Sequence, residues 1–408
     1  MNTFFTADFF STNRARLQAL IQDTVPIVIA ANGVLQANAD NTFPFRQDSS
    51  FWYLTGLDLA DYTLVITSAE TYLIAPSYDS IKDVFDGTTD LQTISATSGI
   101  STVLSTKEGW ARLRSDLNAT KRVATLEPAP TYIASFGLYT NPARARLVRQ
   151  MKRACTGLMV RNIRPELAKL RVVKQAPEIA AIQKAVDITC ATLNEVQHRT
   201  YDYEYEIEAD ITQGFRKQGA GGHAYTPIVA GGLNSCTLHY LQNDDQLRAG
   251  ELLLADVGAS VQNYAADITR TWSRDTPSDR QRAVFDAVNE ALAYGIGLLQ
   301  PGTTFHDVEQ QIRVFVGDKL VKLGLIPVNT PEAVHEWYPH APHYLGLDVH
   351  DVGDYRQPLE PGMVLTLEPG IYLPAERIGI RLEEDILITP EGCTVLSAAC
   401  PRELTTVQ

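Results

Sequence analysis

Residues 252–272 of the chain read LLLADVGASVQNYAADITRTW. Leu252–Val257 is predicted as an apolar strand that carries one carboxylate, Asp256, close to its end, and residues 264–272 are predicted as a second strand that contains Asp267. The glycine and the polar residues between the two strands allow a hairpin. This hairpin would bring the two carboxylates together.

Two more carboxylates lie on predicted strands near the C-terminal end. Residues 363–372 form one such strand and contain Glu368, and residues 377–389 form another. In the second strand alternate side chains point to opposite faces, so Arg381 and Glu383 share the face opposite the isoleucines. This parity favours Glu383 over the adjacent glutamate as a member of a polar site.

A group of buried carboxylates is unfavourable unless it is paired or binds metal. Oxygen-rich ligation with one imidazole favours Mn, Co, Fe or Zn. Two such ions about 3.5–4 Å apart can activate water and stabilise the oxyanion of a hydrolysed amide. Three of the eight histidines lie in residues 339–351. Each piece by itself also fits a simpler role, because an Asp at a strand end is often a turn or cap residue and a His is often part of the core.

The N-terminal half alternates strands and helices, which favours an α/β layer. Residues 12–23 have a helical period, residues 25–30 form a compact apolar run typical of a buried strand, and residues 51–56 are aromatic and strand-like. Residues 62–67 and 71–75 are predicted as a hairpin. Core packing is the competing explanation for the aromatic residues at 51–56.

The C-terminal half contains four predicted helices, at residues 177–197, 205–218, 279–299 and 306–323. A basic, proline-containing stretch at residues 161–171 suggests a domain boundary. We therefore predict two domains, residues 1–165 and residues 166–408. The overall class is a two-domain α/β protein.

Composition excludes several functional classes. The chain has 408 residues, 35 Lys+Arg against 48 Asp+Glu, and a formal net charge of −13, which argues against nucleic acid or an anionic membrane as a partner. The five cysteines are odd in number and form no C-x-x-C motif, so a reducing compartment is expected. No signal peptide or transmembrane helix is expected, and the chain is interpreted as soluble and cytoplasmic.

Several motifs together resemble the pita-bread metallopeptidases, and among them the bacterial aminopeptidase P group. The motifs follow one another in this order: NTFPFRQDSSFWYLTG at 41–56, TLHY at 237–240, DVG at 256–258, DITRT at 267–271, HYLGLDVHD at 343–351, LEPGIY at 367–372 and GIRLE at 379–383. The resemblance covers nearly the whole chain. It implies an N-terminal mixed-sheet α/β (creatinase-like) domain and a C-terminal pita-bread α+β catalytic domain.

The resemblance also implies a set of metal ligands. Asp267 and Glu383 would bridge two divalent ions, manganese by family analogy, with Co, Zn and Fe as alternatives. Asp256 would hold one ion, and His343 with Glu368 would hold the other. Glu368 would in addition move the proton of the attacking water.

Other residues would handle the peptide. By the same resemblance His350 stabilises developing charge or holds the peptide beyond the scissile bond, His239 positions the substrate, and Arg381 supports the ligands. His340 would line the proline pocket. The family usually has two histidines four apart here, whereas His340 and His343 are three apart, so the position of His340 departs from the pattern.

The implied activity is release of the N-terminal residue from peptides with proline at the second position. The nearest alternative is a prolidase, which cleaves Xaa-Pro dipeptides with the same centre. A non-catalytic binding protein and a metal-free hydrolase of the creatinase type are disfavoured, because all the ligand positions are filled. A homo-oligomer, either a dimer or a tetramer, is expected from the resemblance.

Overall fold

The computed structural model describes residues 4–78, 84–85, 87, 89–128, 133, 135–273, 275–335, 337 and 342–404. The chain folds into two compact units, Met1–Leu170 and Arg171–Gln408. The helix Arg164–Val172 contains the point of division. The predicted boundary between residues 165 and 166 falls in the same helix and stays a prediction.

The N-terminal unit is built on a six-stranded mixed sheet. Its central strand, Ile27–Ala30, pairs antiparallel with Thr63–Ile66 and parallel with Arg122–Thr125. All of its residues are buried, as expected for an apolar run covered on both faces. In spatial order the strands are Val103–Leu104, Thr71–Ile74, Thr63–Ile66, Ile27–Ala30, Arg122–Thr125 and Met159–Asn162.

Helices and one further strand pair complete this unit. The predicted hairpin is confirmed, since Thr63–Ile66 and Thr71–Ile74 pair antiparallel. The strands Gln36–Asn38 and Asn41–Thr42 pair separately. The longer helices are Ala7–Ile21, Leu91–Ser98, Thr106–Thr120 and Ala143–Ala154.

The strand predicted at residues 51–56 is wrong, because the segment forms the helix Ser49–Thr55. Asp48 caps this helix by accepting hydrogen bonds from the backbone N–H groups two and three residues further on, each over 3.0 Å. Gly56 ends it with a φ of +69° and lies against the ring of Phe10, where a Cβ would clash. The two end signals therefore override the β propensity of the aromatic residues.

Four helices of the C-terminal unit lie where they are predicted, at Ala176–Val196, Glu204–Lys217, Asp279–Leu298 and Phe305–Lys322. The short helix Pro331–His335 is not among the predicted elements, and 3₁₀ turns lie at Gly232–Cys236 and Pro374–Glu376. Within the described ranges, no helix has both the length and the apolar character needed to cross a membrane.

Antiparallel strands form the sheets of this unit. Three sheets have three strands each, in the orders Ile228–Gly231, Leu252–Val257, Ile268–Ser273; Tyr264–Ala265, Ala259–Val261, Gly222–His223; and Val364–Leu367, Glu384–Thr389, Gly392–Val395. A fourth sheet has two strands, Gly370–Leu373 and Ile378–Arg381. The predicted hairpin is present, but it passes from one sheet into another. Its base pairs Asp256 with Thr269, while its tip pairs Ala259–Val261 with Tyr264–Ala265.

The main core of the unit lies between the helices Asp279–Leu298 and Phe305–Lys322 and the C-terminal strands. The isoleucines predicted to lie opposite Arg381 and Glu383 all belong to this core, which confirms that part of the prediction. Their charged neighbours are therefore directed to the other side. There they meet the carboxylates of the hairpin.

Candidate active site

A cavity of about 330 Å³ lies in the C-terminal unit. Most of the site residues predicted from the sequence line it, and several apolar and hydroxyl side chains join them. The lining residues are Tyr225, Thr226, Ile228, His239, Leu241, Asp256, Asp267, His343, Val349, His350, Glu368, Arg381 and Glu383. His340 lies outside the described residues.

The hairpin places its two carboxylates side by side. Asp256 lies near the end of its strand, and Asp267 immediately precedes the partner strand, whose first pair is Val257 with Ile268. The hydroxyl oxygen of Tyr225 is 2.6 Å from Oδ1 of each carboxylate. A hydroxyl has a single hydrogen to donate, so both carboxylates compete for it. The two side chains are thus held together in a buried position.

The strands predicted at residues 363–372 and 377–389 are each broken in two. The first break contains Glu368 and Pro369, and the second contains Glu383. A proline has no N–H to donate, so the ladder cannot continue through it. The prediction of two continuous strands is therefore wrong at the two positions that contribute carboxylates to the cavity.

Glu383 is fixed to the hairpin by a pair of hydrogen bonds. Its Oε2 accepts from the hydroxyl of Thr269 over 2.7 Å, and its backbone N–H donates to the carbonyl of the same threonine over 3.1 Å. Glu384, by contrast, forms an ion pair with buried Arg270 at 3.0 Å. The structure thus places Glu383 in the cavity and its neighbour outside it, as strand parity indicated.

His343 presents one ring nitrogen to the carboxylates. Its Nε2 lies 3.5 Å from Oδ2 of Asp267 and 3.5 Å from Oε1 of Glu368. Its Nδ1 lies 3.1 Å from the carbonyl oxygen of Tyr344, to which an N–H at this position donates. Burial, with a further contribution from His350, lowers the pKa of His343 to about 3, so the imidazole is neutral. A neutral imidazole with a free Nε2 is the form that binds metal.

Negative charge dominates the cavity. Of the described residues that line it, Arg381 alone carries a permanent positive charge, against four carboxylates. Burial, followed by the nearby carboxylates, raises the pKa of Asp267 and of Glu383 well above the ordinary range. The pKa of Glu368 is raised in the same way by burial and by Glu383. The carboxyl groups therefore hold their protons more tightly than usual, and bound cations would favour their charged form instead.

The donor atoms fit a metal centre. Ligand atoms of Asp267, His343 and Glu383 lie within 4.8 Å of one another, and all three residues are buried. Carboxylate oxygens with one imidazole nitrogen suit Mn, Fe, Co and Zn. Asp256 and Glu368 lie on the same cavity and supply further oxygens.

Two histidines lie beside this cluster. The rings of His343 and His350 stack with centroids 4.0 Å apart and an interplanar angle of 22°. Burial, with a contribution from His239, lowers the pKa of His350. His239 lines the cavity from an exposed segment. Both imidazoles therefore border the same cavity as the carboxylates.

Three hydroxyl groups that contact the charged residues of the site are not among those predicted from the sequence. Tyr225 contacts two carboxylates, Thr269 contacts Glu383, and the hydroxyl of Tyr372 accepts from Nη1 of Arg381 over 3.0 Å. Thr269 could have been found by strand parity, since it lies two residues after Asp267 and faces the same side. The two tyrosines are hydrophobic enough to resemble core residues, and no local pattern distinguishes them.

Two family models match the chain. The model of metallopeptidase family M24 matches residues 180–390, and that of the aminopeptidase P N-terminal domain matches residues 10–124. These matches confirm the predicted two-domain α/β fold, with a creatinase-like N-terminal domain and a pita-bread catalytic domain.

Curated relatives are similar to the chain over almost their full length. The chain is 32% identical to the Xaa-Pro aminopeptidase of Escherichia coli (strain K12), covering 94% of this chain and 93% of that protein. It is 32% identical to the Xaa-Pro aminopeptidase of Haemophilus influenzae, covering 98% and 96%. The structure of aminopeptidase P from E. coli with the inhibitor Pro-Leu superposes with a TM-score of 0.86 at 30% identity, covering 98% and 96%.

The resemblance drawn from the sequence motifs is therefore confirmed. A buried cluster of side chains that could hold a metal ion and these relatives together identify a metal-dependent hydrolase. The chain belongs to metallopeptidase family M24.

Proposed function

We propose that the protein is an Xaa-Pro aminopeptidase, which releases the N-terminal residue from peptides with proline at the second position. The observation that carries this proposal is the convergence of Asp256, Asp267, His343, Glu368 and Glu383 on one cavity. The chain that builds this cavity is 32% identical to an Xaa-Pro aminopeptidase over nearly its full length. The relatives favour this activity over that of a prolidase.

Two divalent ions fit the donor set. Asp267 and Glu383 would be the ligands that both ions share. Asp256 would complete the first site, and His343 with Glu368 would complete the second. When bound, such ions supply a Lewis acid for the scissile carbonyl and lower the pKa of water. We propose manganese as the ion in the cell.

The chain's own residues would move protons and hold the peptide. Glu368 takes a proton from the attacking water at its carboxylate and passes it to the leaving proline nitrogen. His350 donates a hydrogen bond to the oxygen of the tetrahedral intermediate or to the peptide beyond the scissile bond. His239 holds the substrate at that bond. His340 would line the proline pocket.

Arg381 supports the ligands from within the cavity. Its Nη2 donates to Oδ2 of Asp256 over 2.5 Å and its Nε donates to the hydroxyl of Thr269 over 3.2 Å. The first bond orients Asp256, a proposed ligand, and the second orients Thr269, which donates to the proposed ligand Glu383. Residues that orient metal ligands are commonly worth about 10- to 100-fold in activity or affinity.

Three further features are part of the proposal. The enzyme would work in the cytoplasm, because its five cysteines are all free thiols. It would act as a homodimer or homotetramer, as the family resemblance implies. Its catalytic domain would begin at residue 166.

Rates on three peptides test the function. An Xaa-Pro-Xaa tripeptide, an Xaa-Pro dipeptide and an Xaa-Ala-Xaa tripeptide are compared with Mn²⁺ and with a chelator. We expect the proline tripeptide to be cleaved fastest and only with metal. Cleavage of the dipeptide alone would make the protein a prolidase. Cleavage of neither proline peptide, with metal bound, would indicate a binding protein instead.

A further inference from the structure

A buried ionic cluster lies next to the cavity and is not part of it. Arg171 donates from Nη2 to Oδ1 of Asp351 over 2.5 Å, and Lys174 donates from Nζ to Oδ2 of the same aspartate over 2.8 Å. The side chains are 3%, 0% and 1% exposed for Arg171, Lys174 and Asp351. Burying charges costs several kcal/mol per ion, and a buried pair is often no more stabilising than apolar residues. The cluster therefore calls for a reason other than stability.

Asp351 closes the loop that carries two cavity histidines. It directly follows His350, and its backbone N–H donates to the carbonyl of Tyr344 over 2.8 Å. Tyr344 in turn directly follows His343. The hydrogen bond thus joins the two ends of the loop, and both histidines lie one residue from it.

The loop is folded tightly around the aspartate side chain. A Cβ placed on Gly346 would lie 2.2 Å from Oδ2 of Asp351, which leaves room for glycine only. The backbone N–H of Gly346 donates to the carbonyl of Asp348 over 3.1 Å, which narrows the loop further. A carboxylate held on both oxygens and enclosed in this way has little freedom to move.

This anchor bears on the position of His350. The ring of His350 stacks on that of His343 with centroids 4.0 Å apart. The ring of His343 is held at the Tyr344 carbonyl, which lies 3.1 Å from its Nδ1 and also accepts the backbone N–H of Asp351. The position of His350 relative to it depends on where the other end of the loop is held, and Asp351 holds that end.

We propose that Asp351 is a positioning residue, which acts through His350. Its ion pairs with Arg171 and Lys174 fix the loop so that the His350 imidazole faces the bound peptide. The proposal rests on the proposed function, since that function gives His350 its contact with the substrate. A displacement of about 1 Å in such a group can reduce the rate about 100-fold.

Asp351→Asn is the variant that tests this role. The amide has the same shape as the carboxylate, but it places an N–H₂ group opposite one of the two cations. We expect kcat on the Xaa-Pro-Xaa tripeptide to fall about 10- to 100-fold, with bound metal unchanged. The matched control is Asp348→Asn. Asp348 accepts from the same nitrogen of Arg171 over 2.7 Å, but its side chain is 44% exposed, and we expect kcat within about twofold of wild type.

The same substitution in a His350→Ala background separates positioning from folding. If Asp351 acts through His350, Asp351→Asn changes kcat by less than about twofold once that imidazole is gone. Should Asp351→Asn not fold, Lys174→Gln replaces it, because Gln keeps a donor for Oδ2 but removes the charge; its effect on kcat is likewise expected to vanish without His350.

Three results would overturn the inference. The first is an Asp351→Asn variant with a lower melting temperature but an unchanged kcat per folded chain. The second is an equal loss of kcat on Asp351→Asn substitution in the presence and in the absence of the His350 imidazole. The third is loss of bound metal from the Asp351 variant. Wild-type protein in the same assay keeps the two proposals apart. An inactive wild type defeats the proposed function, whereas an active wild type with any of these results defeats only the role of Asp351.

Discussion

Nη2 of Arg381 donates a hydrogen bond to Oδ2 of Asp256 over 2.5 Å, and both side chains are buried. The other nitrogens of the guanidinium are also engaged, with the hydroxyls of Thr269 and Tyr372. A planar group with several fixed donors can hold these partners at once, which an ammonium cannot do. Arg381 thus fixes groups on both sides of the carboxylate cluster.

Replacement of Arg381 by lysine should reduce activity while leaving a positive charge. The lysine ammonium cannot reach all the partners that the guanidinium holds, so Asp256 or Thr269 would lose its hydrogen bond and could move. We expect kcat/KM on an Xaa-Pro-Xaa tripeptide to fall about 10- to 100-fold, and metal affinity to fall with it. Steady-state kinetics and metal titration of Arg381→Lys measure both.

Arg377→Lys is the control for this substitution. Arg377 pairs with Glu251 at 2.7 Å, and its side chain is 46% exposed, so lysine should serve as well. Wild-type kinetics are expected for it. Equal activity of the two lysine variants would contradict a supporting role for Arg381.

A second buried carboxylate organises the segment that carries His239. Oε1 of Glu204 accepts from the backbone N–H of Gly231 over 2.8 Å and from Nδ2 of Asn234 over 2.9 Å. Its Oε2 accepts from the hydroxyl of Tyr240 over 2.8 Å and from the backbone N–H of Asp245 over 3.0 Å. These donors bracket His239 on both sides along the chain.

Glu204→Gln should therefore weaken both the fold and substrate binding. The amide N–H₂ would face donors that have lost their acceptor, and an unsatisfied buried donor costs about 1–3 kcal/mol. We expect the free energy of unfolding to fall by about that amount and KM to rise, because the segment that presents His239 loosens. Urea unfolding and the KM for the tripeptide check the two effects.

Glu195→Gln provides the comparison, since the Glu195 side chain is 67% exposed. Its unfolding free energy should stay within about 0.5 kcal/mol of wild type. If Glu204→Gln is equally harmless, the carboxylate does not hold the segment in place.

His223 should make stability depend on pH. The hydroxyl of Thr212 donates to the carbonyl of Glu208, so it accepts from Nε2–H of His223 over 2.8 Å. Among the described residues, the buried Nδ1 of His223 has no hydrogen-bond partner, so a proton there would be unsatisfied. Burial accordingly lowers the pKa of His223 below its ordinary 6.5.

The sign of the effect follows from linkage. The folded state binds the proton less tightly than the unfolded chain, so stability present above pH 6.5 is lost as the pH falls below it. In His223→Gln the amide N–H₂ can still donate to Thr212 but does not titrate. As the pH is lowered from 7.5 to 5.5, wild type should therefore lose stability through His223, whereas His223→Gln should not. We expect the free energy of unfolding of the variant, relative to that of wild type, to rise over this change.

Unfolding curves at the two pH values, at equal metal content, measure the difference. The exposed His198 supplies the control, and His198→Gln should show the same pH dependence as wild type. A relative stability of His223→Gln that does not change with pH would show that the imidazole is already free to accept the proton when folded.

Local sequence patterns were enough to predict the elements that carry the carboxylates. Alternation of apolar residues with a polar turn predicted the hairpin of Asp256 and Asp267, which the register of Asp256 with Thr269 bears out. Strand parity placed Glu383 rather than Glu384 in the cavity. Both inferences rest on the two-residue period of a strand, a strictly local property.

Features that depend on distant partners could not be predicted in this way. Arg171 and Asp351 are separated by 180 positions, and the sequence around each of them does not indicate that the two will form an ion pair. Tyr225 likewise meets Asp267 only through the fold. The helix Ser49–Thr55 replaces the predicted strand because the Asp48 cap and Gly56 fix both helix ends, whereas the aromatic residues favour a strand by propensity alone.

The two-metal site is tested most directly by titrating metal-depleted protein with Mn²⁺ and measuring hydrolysis of an Xaa-Pro-Xaa tripeptide. We expect no activity without metal, recovery that saturates at two equivalents per chain, and no recovery in Asp267→Asn, which lacks a charged shared ligand. Full activity of the metal-depleted wild type, or an Asp267→Asn variant that recovers like wild type, would contradict it.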